Sequence, residues 1–273
     1  MLPLMDGVPV PSPIPANARP AAGLAAPVSS SPALSTPLVR PDVAVLVYDL
    51  RASGVVRNAL RIARRAVAAG LRCDVVVVHA EGDFKPLDHP LARLVPLMNG
   101  APSNRFLGTL AAAARLRAWL RQHRPRVLLS AGNHIHPLAA MACFRLENAP
   151  RLIMRASNDL SHARRSGWES AASRLLAASV RPLLRTMFSM ADRIVSVSEE
   201  LAQDLSSRLR LPAERIDVVP NGIDVSRIAR LSRQEINHPW FAPGQPPVIL
   251  GIGRLHRQKN FPLLLRAFAL LRR

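Results

Sequence analysis

Four consecutive valines, Val75–Val78, follow Cys73 and Asp74 without polar alternation. A strand with one wet face alternates apolar and polar residues, so an unbroken aliphatic run suits a strand buried on both faces. Such runs recur at Val43–Tyr48, Cys73–Val78, Val127–Leu129, Leu152–Met154, Ile194–Val197, Ile216–Val219 and Val248–Ile252. Helical candidates separate them at about residues 55–69, 104–122, 136–146, 168–190, 199–209 and 260–272. Alternating strands and helices build βαβ units, and these give a parallel sheet covered on both faces. The expected fold class is α/β, a doubly wound parallel sheet.

Residues 1–41 carry ten of the 25 prolines. Proline fixes φ and lacks an amide donor, so this stretch is expected to be a disordered tail. It does not read as a signal peptide, because no basic segment precedes an uninterrupted apolar stretch. Residues 225–246 are charged at first and then rich in Pro and Gly, through Pro239, Pro243, Gly244 and Pro246. They are read as a linker between a domain at 42–224 and the start of a second at 247–273, a stretch too short to close a core of its own. Val127–Phe144 is uncharged and long enough to span a membrane, but Gly132, Asn133, His134, His136 and Pro137 sit within it. Strand, loop and helix is the expectation there, with no transmembrane segment.

The chain has 37 Lys plus Arg against 18 Asp plus Glu, a formal charge of +19, and its only lysines are Lys85 and Lys259. Arginine in such excess is either a compositional background or a field that attracts polyanions, and charge alone does not choose. Residues 161–193 hold arginines among Trp168, Leu175, Leu183 and Phe188. That pattern fits a helix docked on the sheet with an arginine outer face, or one lying on an anionic membrane. Nucleic acid is not expected as a partner, because the seven Phe, three Trp and one Tyr form no stacking motif. Cys73 and Cys143 cannot form a disulfide framework and have no metal-ligand spacing, which suits a reducing cytoplasmic compartment.

Chemistry concentrates in Gly251-Ile-Gly-Arg-Leu-His-Arg-Gln-Lys-Asn260, which follows an aliphatic run and opens a helix. Free amides and the dipole at a helix start attract anions. Gly253 lets the backbone approach, and Arg254 and Lys259 add full charges. A diphosphate is the natural occupant.

These residues also carry a resemblance. Gly253–Leu271 is similar to the start of the second domain of family-4 glycosyltransferases, the retaining enzymes of the GT-B fold. Two upstream segments agree with it: Ala191-Asp-Arg-Ile-Val-Ser-Val-Ser-Glu-Glu-Leu201 and Val219-Pro-Asn-Gly-Ile-Asp224. The resemblance implies transfer of a sugar from a nucleotide-diphosphate-sugar donor to a saccharide or lipid-linked acceptor. It places Arg254 and Lys259 on the diphosphate, where they would stabilise the charge that builds as the glycosidic bond breaks. It implies no cofactor, and no Asp-x-Asp metal motif is present; Glu81-Gly82-Asp83 reads as a loop after the second strand.

The same resemblance marks residues on the acceptor side. Asp49–Arg57 follows the first strand, where the family has a glycine-rich loop, and Gly54 and Arg57 are its candidates, although only one glycine stands where two are commonly adjacent. Asn133 and His134 leave a strand at its C-terminal end, where the family places a sugar-contacting histidine, and His136 is expected to cap the next helix. Arg155 and Asn158 end the following strand on that side. Ser198 reads as a helix N-cap, and Asn221 and Gly222 as a turn that Asp224 braces. The family supplies a later pair of glutamates that these 273 residues do not reach, so a chain of this length is expected to show little or no transferase activity. The alternative is a non-catalytic remnant, or a membrane- or partner-binding module, that keeps the acceptor-side surface.

Overall fold

The computed structural model describes residues 40–84, 87–98, 100, 105–157, 181–253, 255 and 259–271. The proline-rich tail to residue 39, Asn158, Trp168, Leu175 and Arg254 lie outside the described residues.

Among the described residues, seven strands form one parallel sheet: β1 (Val43–Val47), β2 (Cys73–His79), β3 (Ala92–Met98), β4 (Val127–Ser130), β5 (Arg151–Ala156), β6 (Arg193–Ser196) and β7 (Ile216–Val218). Their spatial order is β3-β2-β1-β4-β5-β6-β7. Val43 pairs with Cys73 on one side and with Val127 on the other, which puts β1 beside the point where the order reverses. The helices are α1 (Gly54–Ala68), α2 (Arg105–His123), α3 (His136–Cys143), α4 (helical residues 181–189), α5 (Glu199–Leu209), α6 (Val225–Leu231) and α7 (Phe261–Leu271).

Each central strand divides its side chains between two apolar layers, because successive residues point to opposite faces. Val45, Val47, Val75 and Val77 pack with Val56, Leu60, Ala63 and Val67 of α1. Ala44, Leu46, Val76 and Val78 pack in the layer containing Leu116 and Leu120 of α2, Leu138 of α3, Phe188 of α4 and Leu205 of α5. The valine run is therefore buried on both faces, as its lack of alternation requires.

The helices start where their sequences stop them fraying. Ser53 Oγ accepts from the Val56 amide at 3.2 Å, and Ser198 Oγ from the Leu201 amide at 3.3 Å. Leu201, Leu205 and Leu209 then bury one face of α5. In α4, Met187 and Phe188 enter the core while Arg181 and Arg185 stay exposed, which is the docked arrangement in its described part. No helix among the described residues is long and apolar enough to cross a membrane; the uncharged stretch from Val127 becomes β4, a turn and α3.

Three local features depart from the expected pattern. β3 was not among the expected strands: Arg93 and Pro96 interrupt its apolar run, and it is tolerated as an edge strand that, among the described residues, bonds only to β2. α6 lies inside the expected linker, capped by Asp224, whose Oδ1 accepts from the Arg227 amide at 2.9 Å. Asp224 thus starts a helix rather than bracing the preceding turn. Residues 248–252 pair with no strand among the described residues, and Ile249, Leu250 and Ile252 are exposed.

Candidate functional site

The sheet's topology fixes where a site can form. After β1 the chain crosses to α1 on one face, whereas after β4 it turns into α3 on the other. A crevice opens between these departures, at the C-terminal ends of β1 and β4. Gly54 begins α1 there, and the first amides of a helix have no intrahelical acceptor. A Cβ at Gly54 would meet nothing within 4 Å, so neither packing nor a left-handed φ demands a glycine at this point. Across the crevice Gly132 is constrained: a Cβ there would lie 2.9 Å from Val55 Cγ1 and 3.3 Å from His134 Cε1. The loop after β4 thus closes on the first turn of α1.

Asn133 and His134 open the turn Asn133–Ile135, which the Ile135 amide closes on Gly132 O at 3.0 Å. Asn133 Oδ1 accepts from the Ser157 amide at 3.0 Å, which ties the loop after β4 to the end of β5. The His134 ring stands edge-on to Tyr48, centroids 5.6 Å apart. Partial burial lowers its pKa and Asp49 opposes the shift only in part, so the ring is a neutral imidazole that can donate or accept. His136 is not a cap. It is the first residue of α3, fully buried, with Nδ1 2.7 Å from Ser130 Oγ and its ring edge-on to Phe188. Burial, and then the charge that His134 gains in acid, push its pKa down to about 3, so it stays neutral.

Arg155 is 4% exposed. Its Nη1 donates to Ala131 O at 3.3 Å, and its Nη2 to the side-chain oxygen of Asn221. Arg61 of α1 donates to the carbonyl of Gly222. The Asn221-Gly222 turn is thereby held at both residues, one to β5 and one to α1. Arg155 serves the rim as a brace whose charge is kept on backbone and amide oxygens.

Gly54, Asn133, His134 and Arg155 accordingly share one rim. Arg57 stands apart on the outer side of α1, exposed, its guanidinium carbon 5.8 Å from the centre of the Phe84 ring. Gly253 and Lys259 form a separate pair, since a Cβ on Gly253 would lie 3.1 Å from Lys259 Cγ. Asn158 and Arg254 lie outside the described residues. Glu81-Gly82-Asp83 is a loop packed on the β1 exit, with the Leu50 amide on Glu81 O at 2.8 Å. The His238 ring stands edge-on to both Trp240 and Phe241, which are more than half exposed.

Tyr48 and His79 were not among the expected site residues. Their rings meet edge-on at 5.3 Å, and both line a pocket with Thr109 of α2, His134 and Leu138. The signal was present: each is the first polar residue at the C-terminal end of an aliphatic run, and Tyr48 is the only tyrosine.

Comparison with known proteins bears on the family and the fold. A family model described as Glycosyltransferase Family 4 matches residues 52–227. No match is found among curated proteins. Among solved structures, the sucrose-phosphate synthase of Thermosynechococcus elongatus superimposes with a TM-score of 0.59 at 15% identity, covering 85% of this chain and 60% of that one. A glycosyltransferase from Rickettsia africae gives 0.49 at 13% identity, over 71% of this chain and 46% of that one. The Anabaena protein HepE, solved with UDP and glucose, gives 0.47 at 18% identity, over 71% and 50%. The chain thus spans 46–60% of the length of these three structures. The first shows the shared fold, a Rossmann-like parallel sheet.

Proposed function

Because the chain belongs to glycosyltransferase family 4, we propose that it acts in moving a sugar from a nucleotide-diphosphate sugar to a saccharide or lipid-linked acceptor, with retention at the anomeric carbon. Residues 42–224 form the acceptor side, 225–246 the linker, and 247–273 the start of the donor side. The observation that carries the reading is the match over 52–227 falling on the segments that build the crevice: the α1 start, the loop after β4, the end of β5 and the Asn221-Gly222 turn.

The chemistry follows from the groups present. The first amides of α1, which have no intrahelical acceptor, and the α1 dipole favour phosphate oxygens. His134, neutral and beside Asn133, hydrogen-bonds sugar hydroxyls. Arg254 and Lys259 hold the diphosphate and stabilise the charge it gains as the glycosidic bond breaks, a contribution of about two to three orders of magnitude in rate for one such group.

Isothermal titration of the 273-residue chain with UDP, GDP and ADP tests this. At least one is expected to bind, with Arg254→Ala and Lys259→Ala each weakening it about tenfold or more, as loss of a charge-assisted hydrogen bond implies. Binding that both substitutions leave unchanged, or no binding by any of the three, overturns the donor-side assignment.

A further inference from the structure

The outward face of α2 is apolar where a surface helix is ordinarily polar. Leu107, Leu110, Ala111, Ala114 and Ala118 recur at three- and four-residue spacing and are all exposed, while Leu116 and Leu120 bury the opposite side. α3 packs beside α2 in the same layer and carries the exposed Met141, with the exposed Phe144 directly after its last residue. Among the described residues from 40 to 218, seven large apolar side chains are exposed, and Leu107, Leu110, Met141 and Phe144 are four of them. Single exposed apolar residues are ordinary, whereas their concentration on two adjoining helices marks an interaction surface.

Phe144 is held in place by α2. Arg117 donates to three carbonyls around it: Ala142 O at 3.1 Å, Phe144 O at 2.6 Å and Arg145 O at 3.2 Å. The Arg145 backbone is left-handed, with φ 47°, a conformation that costs a residue other than glycine. Its guanidinium carbon lies 5.2 Å from the centre of the Phe144 ring, so a cation and an apolar ring stand together on the surface.

Charge selects the partner. Residues 105–150 hold seven arginines and one acid, Glu147. Arg121 and Arg145 are exposed, and neither has a carboxylate partner among the described residues. A second copy laid face to face would set these arginines against their own kind. An anionic bilayer meets both demands, with phosphates for the guanidinium groups and the acyl boundary for the apolar side chains.

We propose that the α2–α3 face is a docking surface for an anionic phospholipid bilayer, which Leu110, Met141 and Phe144 enter at headgroup depth while Arg121 and Arg145 bind lipid phosphates. Docking goes beyond the proposed function and does not depend on it, because it requires neither nucleotide nor acceptor.

The test is co-sedimentation of the 273-residue chain with vesicles of phosphatidylcholine alone, and of phosphatidylcholine with about one-third phosphatidylglycerol, at physiological ionic strength. The anionic vesicles are expected to bind it about tenfold or more tightly than the neutral ones. Met141→Ser with Phe144→Ser keeps the charge and should weaken binding about tenfold, since two apolar side chains lose their burial. Arg121→Gln with Arg145→Gln should weaken it by a similar factor. The control is Arg64→Gln with Arg65→Gln, which removes the same charge from α1 on the other side of the sheet and should weaken binding less than about threefold. All six substituted positions are exposed, so the variants are expected to keep the fold. No binding to the anionic vesicles, an equal loss from the α1 pair, or no loss from the serine pair overturns the surface. A dimer in light scattering that the serine pair dissociates overturns it as well, since the face would then join copies of the chain.

Discussion

Arg155, next to last in β5, donates to the side-chain oxygen of Asn221, 66 residues further along the chain. The same guanidinium reaches Ala131 O, so one buried side chain joins the loop after β4, the end of β5 and the turn after β7. Arg155→Ala would leave two oxygens without their donor inside the rim. The expected loss is about 2–4 kcal/mol in urea unfolding, with Asn221→Ala costing about 1 kcal/mol. The double variant should lose less than the sum of the two, since both remove one bond.

Two glycines separate backbone need from ligand need. Gly82 has φ +143, and a Cβ there would lie 2.0 Å from the Leu50 carbonyl carbon. Gly82→Ala is therefore expected to cost about 3 kcal/mol or more. Gly54→Ala meets open space at a helix start and should change stability by no more than about 1 kcal/mol, in the stabilising direction. On the proposed function it should still weaken nucleotide diphosphate binding, read by calorimetry, because the methyl occupies the approach to the amides.

Acid should act on the buried histidine of α3. An unfolded histidine takes up its proton near pH 6.5, whereas His136 resists protonation until about pH 3 because burial and then the His134 charge oppose it. Between those values the unfolded chain holds the extra proton. Its contribution to stability is complete above pH 6.5 and is lost as the pH falls, by about 1.4 kcal/mol per unit for one such residue. His134, shifted the same way by partial burial, adds to the slope. Urea midpoints at pH 7, 6 and 5 should fall steadily, and His136→Gln should flatten the trend.

Charge at the other end of β2 makes a further test. Asp74 is buried and meets Arg93 Nη2 at 2.5 Å, while Arg93 is half exposed. Arg93→Ala leaves a buried carboxylate facing solvent only through the gap it creates, and a loss of about 2 kcal/mol is expected. Asp74→Asn together with Arg93→Ala should recover part of it, measured in the same unfolding experiment.

Much of this was legible because local and global signals coincided. The Ser198 cap, the acidic first turn and the leucines at 201, 205 and 209 all mark α5, which spans Glu199–Leu209 as the sequence indicated. β3 was hidden because its arginine and proline break the run, and an edge position is visible only once the sheet is assembled. Tyr48 and His79 lie 31 residues apart, and only the parallel pairing of β1 with β2 brings their rings together. The Arg155–Asn221 bond is likewise a product of the crossing order, which no short motif encodes.

The two margins of the sheet are blunted in different ways. β3 exposes Arg93 and Pro96, and β7 has only three residues, so neither presents a long ladder of free amides and carbonyls. A strand from a second molecule has little to zip onto at either side. Growth into fibrils by edge addition is disfavoured, and an assembly partner is left to engage helices or the rim.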